Sequence, residues 1–125
     1  MRLGTEADIP WIVRKCEQTH SYASLGRFCP ETVAARASET TNFIKGESVL
    51  CGLEIPLLTT SEPAVNHVMM WHTSGDAWDF LKAHEAQSDL PSSVSVMFGH
   101  PRAAAIFRKL TAQGYQPVEM MMVKS

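Results

Sequence analysis

The chain has 125 residues, of which 45% are hydrophobic and 19% charged. That favours a single domain with one core and fits a soluble globular protein. A net charge of −2 gives no electrostatic case for nucleic acid or an anionic membrane surface. No apolar run reaches the length of a bilayer span.

The opening "MRLGTEADIP" turns acidic at once and lacks the apolar stretch of a secretory leader. Cys16, Cys29 and Cys51 are an odd set that cannot all pair within the chain. Free thiols in a reducing compartment are the simple reading, so a cytoplasmic location is expected. No histidine or cysteine stands at metal-site spacing, and no metal is expected.

"MRL" can begin a short strand. "TEAD" (5–8) reads as a capping box; with Asp8 as the cap instead, Pro10 falls in the first turn, where its missing N–H costs nothing. Ile9, Ile12, Val13 and Cys16 then share one face of a first helix. "CPETVAARASE" (29–39) reads as a second helix with a thin apolar face, hence a surface helix. Two extended stretches flank "KGES" (45–48). In the second, "SVLCGLEIPLL" (48–58), Pro56 cannot donate to a ladder and predicts a bulge or an edge.

"AVNHVMMWH" (64–72) reads as a strand whose apolar middle predicts burial on both faces. A third helix follows over 75–87, with Ala77, Phe80, Leu81 and His84 inward. "VSVMF" (94–98) is a further strand. "HPRAAAIFRKLTAQG" (100–114) is the clearest helix, with Ala103, Ile106, Phe107 and Leu110 inward and Gly114 as its stop. "YQPVEMMMVKS" (115–125) predicts a closing strand. The expected order is β-α-α-β-β-β-α-β-α-β, a mixed sheet with helices on both faces.

Chemistry centres on "HTSGDA" (72–77), a glycine-containing turn between a strand and a helix. Unpaired N–H groups and the positive end of a helix attract an anion there. Asp76 and Asp79 oppose this: a carboxylate in the first helical turn uses the same donors, for roughly 0.3–1 kcal/mol, and repels a phosphate. A phosphate cradle and a self-capped helix therefore compete.

"TEADIPWIV", "VMMWH" followed by "FLKAHE", "HPRAAAIFRKL" followed by "GY", and the tail "GYQPVEMMMVKS" occur in an order that resembles the GNAT superfamily of acyl-CoA N-acyltransferases, its small phage and bacterial members especially. The resemblance spans almost the whole chain. It implies acetyl-CoA as a possible cofactor, with its diphosphate on the turn after the central strand. The implied cofactor contacts are Val68, Met70, His72, Thr73, Ser74, Gly75, Asp76 and Ala77, with His100 at the place of the family's Asn. His72 stands where the family has Arg or Gln.

The tyrosine acid common in that family is matched by Phe107, which has no proton to give. Val68 stands where relatives often carry a glutamate. Glu54 is the nearby candidate base, with His67 or His72 as substitutes. Tyr115 takes a packing position. Two functions follow. One is a member whose acetyl-CoA chemistry is weak or lost, retained as a structural or interaction module, in a virion or as a phage accessory protein. Here a partner or second copy would use an open sheet edge. The other is an active divergent acetyl-CoA-dependent N-acetyltransferase acting on a primary amine.

Overall fold

The computed structural model describes residues 1–23 and 25–124. They form two compact units, Met1–Ser95 and Val96–Ser125. The first unit carries β1 (Arg2–Leu3), α1 (Ile9–Ala23), α2 (Pro30–Ala37), β2 (Thr41–Lys45), β3 (Ser48–Ile55), β4 (Val65–His72), α3 (Ala77–Ala86) and β5 (Ser92–Val94). The second carries α4 (Ala103–Ala112). Among the described residues no helix is long and apolar enough to cross a membrane.

The strands form one sheet in sequential order, β1-β2-β3-β4-β5. The first three pairings are antiparallel and the last, β4 with β5, is parallel. The parallel step follows from the connection: α3 carries the chain back to the end at which β4 began. The class is thus mixed α/β, and the element order matches expectation up to α4.

Alternation on the strands sorts the core into two layers. Ile44, Val49 and Cys51 face α1 and α2, packing with Ile12, Ala37 and the half-buried Ile9, Trp11, Cys16 and Met70. Residues of opposite parity face α3, where Phe80, Leu81 and His84 are all 2% exposed or less. Burying each large apolar side chain is worth about 1.5–3 kcal/mol, so this face needs the helix as much as the helix needs it.

At the start of α1 both readings of "TEAD" hold in part. A 3-10 turn over Glu6–Asp8 precedes the helix, and Asp8 accepts the Thr5 N–H at 2.8 Å. Pro10 still falls in the first α-helical turn. The Asp8 carboxylate also meets the Arg2 guanidinium at 2.8 and 2.9 Å, which holds its pKa well below the carboxylate range. Burial pushes the Cys51 thiol up to about 12 and the Cys16 thiol up to about 11, and all three cysteines are free.

Several expectations need correcting. Residues 115–124 form no strand; Pro117 offers no N–H, and the described segment enters no ladder. Val118 and Met120 to Val123 are all exposed. β5 ends at Val94 rather than running from 94 to 98. Phe107, expected inward, is 42% exposed, while Leu110 on the same helix is buried. β4 is not buried on both faces: Asn66 and Val68 are buried but Met69 is 44% exposed. The cause is a bulge. Cys51 pairs with Met70 and Gly52 with Val68, which leaves Met69 as an extra residue. The irregularity expected at Pro56 is a strand end instead, since β3 stops at Ile55.

Candidate functional site

β4 and β5 make a fork. They pair only from Asn66↔Ser92 to Val68↔Val94, whereas β4 continues to His72. Past Val68 the β4 main chain therefore has no ladder to β5. The Met69 bulge sits just at that divergence, with Val68 and Met70 on either side. The strand then ends in the turn 73–76 and α3 begins at Ala77.

The turn is held from below by a residue the sequence reading did not single out. Ser48, at the start of β3 and 2% exposed, accepts the Ser74 N–H at 3.0 Å and donates its own proton to Asp76 Oδ1 at 2.9 Å. Gly75 lies between them at φ +88°, a left-handed conformation that favours glycine. Asp76 occupies the N-cap position of α3, but its side chain makes no capping bond. The expected self-capping is thus corrected: the carboxylate turns to Ser48 instead. Trp71 and Trp78 meet edge to face across the turn, centroids 6.2 Å apart, bracing strand against helix.

On the other side of the strand end lies a charged group. Lys15, on α1, is 8% exposed and meets Glu47 at 3.0 Å. Its ammonium sits 5.4 Å from the Trp11 ring centroid. His72 is close enough for burial and then Lys15 to lower its pKa. Its Nδ1 is buried with no hydrogen-bond partner among the described residues. The position the resemblance gives to a cation is therefore held by an imidazole biased toward neutrality, and the neighbouring cation is already paired.

Val68, Met70 and His72 to Ala77 thus form one continuous path along the fork and turn. Glu54 does not reach the turn. It pairs with Asn66 while Val49 pairs with His72, which sets it five residues, about 16 Å, down the sheet from the turn. There it accepts the Ser88 hydroxyl at 2.8 Å, in a concavity of about 540 Å³ with Glu62, Gln87 and Asp89. His67 lies between Ser93 and Ser95, its Nδ1 2.8 Å from Ser93 Oγ. In the second unit, His100 Nδ1 accepts the Arg102 N–H at 3.0 Å, and Arg102 is the N-cap of α4. Phe107 lies in the middle of α4 and offers no proton.

His84 is fully buried and structural. Its Nε2 donates to Asn66 O at 2.8 Å, and Asn66 Nδ2 donates back to His84 O at 3.0 Å. This reciprocal pair locks α3 to β4 and so fixes the angle at which the turn is presented. No protein-family model, curated protein or solved structure matches this chain.

Proposed function

We propose that this protein is a GNAT-like α/β module whose acetyl-CoA chemistry is weak or lost and whose role is structural or interactive. The observation that carries the reading is the Ser48 bridge. A diphosphate on this turn needs outward N–H donors and a positive field. Here the Ser74 N–H is bonded to Ser48, and the Asp76 carboxylate stands beside it.

The magnitudes favour exclusion. A charge-assisted hydrogen bond to an anion contributes about 1.5–3 kcal/mol, and one donor is already engaged. A like charge about 4 Å away costs about 4 kcal/mol at an effective dielectric near 20. Phe107 cannot protonate a leaving thiolate, and Glu54 is remote from the 73–76 turn. For an interaction role, β5 is last in the sheet order and among the described residues pairs with β4 alone, so a further strand would add along its other edge. A partner protein or a second copy, in a virion or as a phage accessory component, fits that edge.

The fork favours a second reading, an active divergent N-acetyltransferase acting on a primary amine. The unladdered β4 main chain beyond Val68 and the Met69 bulge are the features a pantetheine arm would use. Calorimetric titration with acetyl-CoA, paired with thermal melting, separates the two. No heat and no melting shift at millimolar ligand supports the first reading. Micromolar binding with a raised Tm supports the second.

A further inference from the structure

Ser93 lies opposite His67 in the parallel pairing of β5 with β4. Ser93, paired opposite His67, projects on the side that carries the ring, and Ser95, just past the strand, reaches the same ring. The imidazole sits between the two hydroxyls: Nδ1 is 2.8 Å from Ser93 Oγ and Nε2 is 3.4 Å from Ser95 Oγ. Burial, aided by His84, lowers the pKa of this ring, and the Ser93 main chain opposes the shift. A neutral imidazole has one N–H and one lone pair. With the N–H on Nδ1 toward Ser93, Nε2 receives the Ser95 O–H. Ser95 is exposed and directly follows Val94, the last paired residue of β5, so its oxygen stands at the opening of the fork.

We infer that Ser95, His67 and Ser93 form a serine-nucleophile site for small acyl esters and thioesters, with Ser95 as nucleophile, His67 as base and Ser93 as the group that orients the ring. This is the division of labour by which a weak hydroxyl is activated on unrelated folds. It is independent of the function proposed above, because such an acyl donor needs no diphosphate seat. Ser95 Oγ attacks the carbonyl carbon while its proton passes to His67 Nε2. The tetrahedral adduct collapses, the carbon–oxygen or carbon–sulfur bond to the leaving group breaks, and the alcohol or thiol takes that proton from His67. Water then repeats the sequence: its proton goes to Nε2, the acid is released, and Ser95 Oγ recovers its hydrogen.

The test treats the full chain with a fluorophosphonate, maps the adduct by peptide mass and follows p-nitrophenyl acetate hydrolysis. One adduct on Ser95 is expected, and Ser95→Ala should lose both adduct and hydrolysis without a change in Tm. His67→Gln should slow labelling by about 100-fold or more, the usual scale of general-base assistance. If that variant melts early, Ser93→Ala, which leaves nucleophile and base in place, takes over: slower labelling at unchanged Tm supports the orienting role. Absence of an adduct, a label on other residues, hydrolysis that survives Ser95→Ala, or a Ser93→Ala rate equal to wild type overturns the proposal.

Discussion

A β carbon added at Gly52 would lie 2.5 Å from His84 Nδ1 and 2.7 Å from its Cε1. No real β carbon tolerates such contacts, and the buried ring is fixed by its bond to Asn66. Gly52→Ala is therefore expected to destabilise the protein by about 1–3 kcal/mol, the usual cost of overpacking, seen as a Tm lower by several degrees. An unchanged Tm would show that α3 can move off the sheet freely. The histidines make a second prediction. Burial leads the causes that lower the pKa of His67, His72 and His84 below the ordinary 6.5. As pH falls, the unfolded chain takes up these protons before the folded one. Their contribution is thus fully present above about pH 6.5 and is lost as pH falls toward the folded-state values. Tm measured from about pH 8 to about pH 5 should hold level and then decline, before the carboxylates titrate. A Tm that rises on acidification contradicts these assignments.

Helix α1 brings Lys15 to the end of β4, where Glu47 pairs with it from the β2–β3 turn. Glu47 is largely exposed, so the pair itself adds less than about 1 kcal/mol. Lys15 is buried with its ammonium over the Trp11 ring, and methionine can fill its space. Lys15→Met should leave stability within about 1 kcal/mol of wild type and raise the pKa of His72, because Lys15 depresses it. A ring-proton NMR titration reads this directly; an unmoved His72 titration would mean that burial alone governs the ring. These elements were legible because their signals are local. The apolar faces of α1 and α3, Pro30 at the start of α2 and the apolar run of β4 all lie within short windows. The closing strand was not legible, since a strand exists only where a ladder receives it. Likewise Phe107 shares a helical face with Ala103 and Leu110, yet helical spacing says nothing about how deep each position lies.

For the molecule as a whole, the sheet order and the fork place the 73–76 turn where a sequence motif alone put it. What sequence did not show is what occupies it. Ser48 is 26 positions from Ser74 and 28 from Asp76, and only the sheet brings them together. The local pattern pointed to Asp76 as a cap for its own helix, whereas the folded chain uses it as the acceptor of a β3 hydroxyl. Glu54 shows the converse: it is on the strand next to β4 but about five residues along it from the turn. In the proposed function, Ser48 and Asp76 close this turn to a diphosphate. Its most direct test is calorimetric titration of coenzyme A and inorganic pyrophosphate into the wild-type protein and the Ser48→Ala/Asp76→Asn variant. The closed turn predicts no binding to wild type at millimolar ligand and measurable binding once the donor is freed and the charge removed. Micromolar binding to wild type that Gly75→Glu abolishes would contradict it.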